Sequence, residues 1–442
     1  MGGEWATVRL RDVSEVITKG TTPTTLGMSF VTNGINYIKS ESITSDGFID
    51  SSKFAFIDEE THEALKRSQI EPFDLLFSMA GVYLGKTALV PPSLVPANTN
   101  QAVAIIRLKK GDADPRFIGY SLRNPRLNAY VNKLVGQSAQ PNINLTEIGN
   151  LEIALPSFDE QRAIAHILGT LDDKIELNRR MNETLEAIAR AIFKSWFVNF
   201  DPVRAKASGE PPESICRRLG LTPDVLALFP DRLVDSELGE IPEGWSISSL
   251  YEMATYINGA AYSAFEPNEE QRGLPIIKIA ELKAGVTAQT KYSDVVMPEK
   301  YQINRGDILF SWSGNPDTSI DTFVWTNGPA WLNQHIFRVV PHSELERSFV
   351  LAMLKYLRPV FAEIARNKQT TGLGHVTVSD LKRLKCVKPP KSLLVSWNEV
   401  IDPILERAFL SGLETQTLAD SRDTLLPKLL SGEMRVAAAG TL

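Results

Sequence analysis

The chain has 442 residues, with 47 Lys+Arg against 53 Asp+Glu and a formal net charge of −6. That length predicts two or more domains, and 43% hydrophobic with 23% charged residues is ordinary globular composition. The sequence has no long apolar run, no basic-then-apolar start and only Cys216 and Cys386, which speaks against a membrane helix, a secretory signal or a disulfide scaffold and fits a reducing cytoplasm. Taken alone, the acidic balance argues against a nucleic-acid binder.

From the N-terminus, block after block returns in the second half of the chain. Trp5-Ala6-Thr7-Val8-Arg9-Leu10 is echoed by Trp245-Ser246-Ile247-Ser248-Ser249-Leu250, and Gly34-Ile35-Asn36-Tyr37-Ile38-Lys39 by Gly273-Leu274-Pro275-Ile276-Ile277-Lys278. Asp74-Leu75-Leu76-Phe77-Ser78-Met79-Ala80-Gly81 returns 233 positions later as Asp307-Ile308-Leu309-Phe310-Ser311-Trp312-Ser313-Gly314. The same offset carries Asn100-Gln101 onto Asn333-Gln334, Leu151 onto Leu384 and Pro156 onto Pro389. Blocks in one order and one register predict two copies of a single domain.

Each copy reads as α/β. Val103-Ala104-Ile105-Ile106 and Ile336-Phe337-Arg338-Val339-Val340 have strand composition, glycines such as Gly20, Gly47 and Gly81 mark abundant loops, and helices are predicted near 115–135 and 346–367. Asp74, Asp307, Phe77 and Phe310 read as turn and core residues.

After the first copy the texture changes. Ser157-Phe158-Asp159-Glu160 has the form of a capping box. Apolar residues then recur at Ile164, Leu168, Leu171, Ile175, Leu185, Ile188 and Ile192, predicting about 40 helical residues. Residues 201–242, rich in Pro and charge, read as an irregular linker. Ile401, Leu405, Ala408, Leu418, Leu425 and Leu429 predict a second long helix, and an antiparallel coiled-coil-like pair is the simplest way to cover both stripes. The expected organisation is a first α/β domain (1–156), a helix and linker (157–238), a second α/β domain (239–389) and a C-terminal helix (390–442).

Catalytic chemistry finds no footing. Ala80-Gly81-Val82-Tyr83-Leu84-Gly85-Lys86-Thr87 satisfies a relaxed phosphate-loop pattern, but Pro91-Pro92 leaves no room for the helix whose N-terminus would hold the phosphate. None of His62, His166, His335, His342 and His375 pairs at the i, i+4 spacing of a zinc helix, and no Gly-x-Ser-x-Gly elbow appears. Glu281-Leu282-Lys283 resembles the tail of a nuclease motif without its aspartate. An aminomethyltransferase would need a Gly-rich cofactor turn and an Asn/Asp-Pro-Pro-aromatic motif, and neither is present. No cofactor or metal is called for.

The repeat instead offers polar loops. Asn98, Asn100 and Gln101, with Asn333, Gln334 and His335, carry side chains suited to base edges. Ser78, Tyr83 and Lys86 in one copy, and Ser311, Trp312 and Ser313 in the other, are candidate base or phosphate contacts.

Further blocks extend the pattern: Gln137-Ser138-Ala139-Gln140-Pro141-Asn142-Ile143-Asn144, Leu155-Pro156, Glu160-Gln161-Arg162, Leu171-Asp172-Asp173-Lys174-Ile175 and Phe193-Lys194-Ser195-Trp196-Phe197. Asp201-Pro202-Val203-Arg204-Ala205-Lys206, Gly239-Glu240-Ile241-Pro242-Glu243-Gly244-Trp245 and Leu425-Leu426-Pro427-Lys428-Leu429-Leu430-Ser431-Gly432 complete it. In these blocks the whole chain resembles the DNA-specificity subunit of type I restriction-modification systems. The resemblance implies two target-recognition domains, each reading half of a split, asymmetric site in double-stranded DNA. It implies helices that set their spacing and dock two methyltransferase subunits acting on adenine N6, a motor-nuclease subunit as further partner, and no active site in this chain. It adds, as DNA-contacting positions, Thr21 and Thr22 in the loop after Gly20, Lys39 and Lys278, Gln137 and Ser138, and as phosphate contacts Arg123, Arg126, Lys355 and Arg358. Residues 392–398 depart from the pattern, lacking the Glu-Gln-Arg of 160–162. A helical scaffold for another protein, or a nucleotide-dependent enzyme at the 80–87 loop, are the competing readings.

The charge then changes meaning. The first copy, 1–157, holds 15 basic and 16 acidic side chains and residues 231–390 hold 17 and 19, so neither is basic. Phosphate binding by this chain alone is expected to be weak, with the basic surface supplied by partners.

Overall fold

The computed structural model describes residues 5–135, 142–287, 289–369 and 372–436. They form two compact units, Met1–Glu176 with Gln416–Leu442, and Leu177–Thr415.

In the first unit an antiparallel sheet runs in the order Ser14–Lys19, Val103–Leu108, Leu75–Ser78, Thr87–Leu89. Its central strands are apolar on both faces because both are covered: Leu75, Leu76, Phe77 and Ala104 have no exposed surface. A second sheet runs Ala55–Ile57, Ile35–Ile38, Ala97–Thr99, Gln69–Ile70, with Ile35–Ile38 and Ala97–Thr99 parallel. Ala6–Arg9 pairs with Glu152–Leu155 and ties the two ends of the repeat together.

The second unit reproduces this plan. Its sheets run Ala254–Asn258, Ile336–Pro341, Ile308–Ser311, Asp321–Val324 and Tyr292–Ser293, Leu274–Ile277, Ala330–Leu332, Gln302–Ile303, with Leu274–Ile277 and Ala330–Leu332 parallel. Ser246–Ser249 pairs with Lys385–Lys388. Phe77 and Phe310 are fully buried core residues. Asp74 and Asp307 close equivalent turns, accepting from the Glu71 amide at 2.7 Å and the Asn304 amide at 2.8 Å. The mixed α/β fold read from the repeat is therefore present in both halves.

Each predicted helix after the strands is two helices, Pro115–Leu122 with Pro125–Val135 and Glu344–Tyr356 with Arg358–Asn367. Pro125 and Pro359 sit in the first turn of the second helix of each pair, where the missing amide is harmless.

The long helices are Phe158–Phe197 and Lys391–Leu430, 40 residues each. Ser157 Oγ accepts the Glu160 amide at 3.3 Å, the forward half of the capping box, while the Glu160 carboxylate turns to Arg435 at 2.8 Å. In the first unit Ile164, Leu168 and Ile175 are buried, and Leu426, Leu429 and Leu430 of the second long helix join the same core. In the second unit Phe193, Trp196 and Phe197 pack on Trp397 with ring centroids 4.9–5.8 Å apart. There Asn178 Nδ2 donates to Glu414 at 2.9 Å. Partners that fall in sequence along one helix as they rise along the other make the pairing antiparallel within each unit. Ile188 departs from the predicted stripe, 42% exposed while Ala189 is buried, because 3.6 residues per turn drifts against the seam over so many turns.

The predicted irregular linker is folded. Asp201–Ala207, Pro212–Leu219 and Pro223–Ala227 are helices, and Leu233–Ser236 with Gly239–Pro242 form a hairpin. The prolines open these helices rather than break them, and Phe200, Val203, Ile215, Leu226 and Phe229 are buried among Trp196 and Trp245.

Candidate nucleic-acid interface

Four loops converge at one end of each pair of sheets, and backbone hydrogen bonds fix them identically in the two units. In the first, the Thr21 amide donates to the Thr99 carbonyl at 3.1 Å, the Met79 amide to Ala102 at 2.8 Å and the Ile143 amide to Met79 at 3.0 Å. In the second, the Ala260 amide donates to Leu332 at 2.9 Å, Trp312 to His335 at 3.3 Å and Val376 to Trp312 at 2.8 Å. The approach is so close that only glycine fits at its start. A Cβ on Gly20 would lie 2.0 Å from the Thr99 carbonyl oxygen, and one on Gly259 would lie 2.2 Å from that of Asn333.

In the first unit the Thr22 hydroxyl donates to the Gln101 amide oxygen, and Arg67 Nη2 donates to Thr21 Oγ1 at 3.2 Å. Tyr37 Oη donates to the Thr21 carbonyl at 3.0 Å; burial pushes its phenol up to about 12, so it stays a donor there. Asn100 Oδ1 caps the turn by accepting the Ala102 amide at 3.2 Å, whereas Gln101 is exposed. Lys39 lies 3.2 Å from Glu41, and Lys86 sits over the Tyr83 ring at 5.0 Å. Asn98 is fully buried, donating to the Leu65 carbonyl at 3.2 Å and meeting His62.

In the second unit Lys278 lies over Tyr262 at 5.1 Å and Trp312 Nε1 donates to Asn258 Oδ1 at 3.1 Å. The Trp312 ring is 5.7 Å from His335 and 6.2 Å from His375, and Ser313 Oγ lies 3.3 Å from His375 Nδ1. Gln334 Nε2 lies 3.3 Å from His335 Nε2, and Asn333 is buried. Burial, helped by His375, holds the His335 imidazole below its ordinary value, so it is neutral at neutral pH.

Several sequence candidates sit elsewhere. Ser78 and Ser311 have no exposed surface, because their strands are covered on both faces, so neither hydroxyl is available to a ligand. Arg123 is half-buried against Asp172 of the long helix at 3.2 Å, and Lys355 pairs with Glu186. Arg358 is held by Asp321 at 3.0 Å and the Asp317 carbonyl at 2.9 Å. These three join parts of the protein to one another. Arg126 is exposed and lines a hollow of about 390 Å³ with Tyr130, Glu152 and Leu430. Gln137 and Ser138 lie outside the described residues. Sequence reading passed over Arg67, Asn258 and His375 as contacts. The 233-residue register pointed to His375, which matches Asn142 inside a block already singled out.

The 80–87 loop is a hairpin turn. Gly81–Tyr83 is a single 3₁₀ turn, the Ser78 amide donates to the Lys86 carbonyl at 2.8 Å, and a strand, Thr87–Leu89, follows where a phosphate loop needs a helix. The Thr87 hydroxyl is buried and donates to the Gly85 carbonyl at 3.3 Å. Among the described residues no group of three or more His, Cys, Asp or Glu could hold a metal ion, and no helix is long and apolar enough to cross a membrane.

A model of the type I restriction modification DNA specificity domain matches residues 2–187 and again 242–407. The chain belongs to this family. It is similar to the type I restriction enzyme HindI specificity subunit of Haemophilus influenzae, 27% identical over 408 residues that cover 83% of this chain and 88% of that protein. It is also 25% identical over 448 residues to the MjaIX specificity subunit of Methanocaldococcus jannaschii, covering 98% of this chain and 94% of that one. Among solved structures, the type I restriction-modification S subunit from M. genitalium shares the fold, with a TM-score of 0.54, 15% identity and 96% of each chain covered. Within the family's division of labour this specificity chain is the DNA-recognition component and not a catalytic one.

Proposed function

We propose that each repeat reads one half of a split, asymmetric site in double-stranded DNA, with residues 1–156 and 239–389 as the two readers. The long helices fix the spacing of the half-sites and dock two methyltransferase subunits that methylate adenine N6, and a motor-nuclease subunit completes the restriction complex in the cytoplasm. The observation that carries this reading is one backbone arrangement of four loops, held by equivalent hydrogen bonds in both units and furnished with different side chains. Constant backbone with variable side chains is what direct readout of two different sequences requires. Thr21, Thr22, Gln101, Tyr83, Lys86 and Lys39 in the first repeat, and Lys278, Trp312, Ser313, Gln334 and His335 in the second, are the proposed contacts. The net charge of −6 makes duplex binding strongly dependent on the methyltransferase subunits.

Methylome sequencing of cells expressing this chain with its methyltransferase subunit tests the reading. A split N6-methyladenine motif is expected, and replacing residues 1–156 by another recognition domain should change one half of it. No split motif, or a change in both halves, would refute the two-reader arrangement.

A further inference from the structure

We infer that Trp312, His335 and His375 are the base-discriminating surface of the second repeat, set at backbone positions where the first repeat carries Met79, Ala102 and Asn142. This rests on the DNA-recognition reading above and names the side chains that perform it.

The correspondence of positions is geometric as well as sequential. Ala80 bridges Asn142 where Ser313 bridges His375, and the amide-to-carbonyl bonds through Met79 and Trp312 follow the same pattern. Each of these pairs is separated by 233 residues. The backbone is thus held constant while Met79 becomes Trp312, Ala80 becomes Ser313, Ala102 becomes His335 and Asn142 becomes His375. The second repeat has built three nitrogen-bearing rings where the first has small, flexible or amide side chains.

Packing alone does not account for that choice. Shielding ring nitrogens from water is costly unless they are hydrogen-bonded, yet His335 Nδ1 is shielded with no partner among the described residues. Trp312 Nε1 is committed to Asn258, and Ser313 engages His375 Nδ1. His375 Nε2 has no hydrogen-bond partner among the described residues, and the ring is half-exposed. With Nδ1 held by Ser313, His375 Nε2 is the ring nitrogen left to meet a base edge in the major groove, while the indole supplies an apolar flank against which the reading group is held.

The first repeat supplies the substitutions for the test, because its equivalent backbone already accommodates Met, Ala and Asn. The full chain carrying Trp312→Met, His335→Ala or His375→Asn is co-expressed with the methyltransferase subunit, and the methylated motif is sequenced. At one or more positions of a single half-site, discrimination should fall by roughly tenfold, with the other half-site unchanged. A uniform fall in methylation of an unchanged motif would mean that the cluster only supports the fold, and would overturn the inference. So would an unaltered motif in all three variants. Where a variant abolishes methylation, competition binding of the assembled complex to DNA randomised in that half-site decides: lost discrimination supports the inference and retained discrimination overturns it. Failure of the wild-type complex to methylate a split motif would instead refute the reading on which the inference stands.

Discussion

Asp172 receives Arg422 at 2.9 Å on one carboxylate oxygen and Arg123 at 3.2 Å on the other. Tyr120 Oη donates to the second oxygen at 2.8 Å, and burial together with the nearby carboxylate drives its phenol strongly upward. Asp172 and Arg422 lie on different long helices, and only 12% and 6% of their side-chain surfaces are exposed. One acidic side chain thus locks both long helices to the helix Pro115–Leu122 and the residue after it within the first unit.

Removing that carboxylate leaves the Arg123 guanidinium without its counter-charge and leaves the buried Arg422 with only the exposed carboxylate of Asp423, at 2.8 Å. Asp172→Ala is expected to destabilise the first unit by about 3–5 kcal/mol in urea unfolding. A loss below about 1 kcal/mol would place the pair among exposed ion pairs and contradict its burial.

Gly259→Ala forces a methyl group into the Asn333 carbonyl, a backbone atom that cannot step aside. It should cost at least about 1–3 kcal/mol and disturb the loops of the second unit. Gly328→Ala, where a Cβ meets nothing within 4 Å, is the control expected to melt like the native protein. Equal melting temperatures for both variants would show that the close approach is not required.

His335 gives the second unit a pH dependence of definite sign. Its imidazole sits below the ordinary value in the folded protein, first through burial and then through His375. As pH falls through the unfolded value near 6.5, the unfolded chain takes up a proton that the native state refuses, so stability drops on acidification. Thermal melts at pH 7.5 and 5.5 should differ less for His335→Ala than for the native sequence. Identical differences would remove His335 as the source.

Lys86 stacks on Tyr83 at the tip of a hairpin, so it is expected to act as a phosphate contact and not as a nucleotide ligand. In the assembled complex Lys86→Ala should weaken DNA binding evenly across sequences and reduce the slope of log affinity against log salt by roughly 1. A loss of sequence preference with an unchanged salt slope would contradict that role.

Much of this architecture was legible in the sequence, because the 233-residue register survives wherever backbone geometry is fixed, as at Asp74/Asp307 and Phe77/Phe310. The long helices were legible for a similar reason, their apolar spacing being sustained over many turns. The misreadings have physical causes. Proline at 202, 212 and 223 reads as a breaker in the sequence but initiates helices in the fold. Arg123 and Lys355 looked like free surface cations because their partners, Asp172 and Glu186, lie 49 and 169 residues away. Ser78 and Ser311 looked available because alternation cannot reveal a strand covered on both faces. The three rings of the second repeat are not legible as a group in the sequence, since 312, 335 and 375 meet only through loop packing.

The membership of the first unit has a consequence for synthesis. Its core contains Leu426, Leu429 and Leu430 beside Leu10, Phe117, Ile148 and Leu168. As the polypeptide leaves the ribosome, the earlier part of this unit emerges before the second unit but cannot complete its core until Leu426, Leu429 and Leu430 have followed. The second unit, Leu177–Thr415, is contiguous and has all its parts earlier. A message cut short before the codon for Gln416 would therefore spare the second unit and cripple the first.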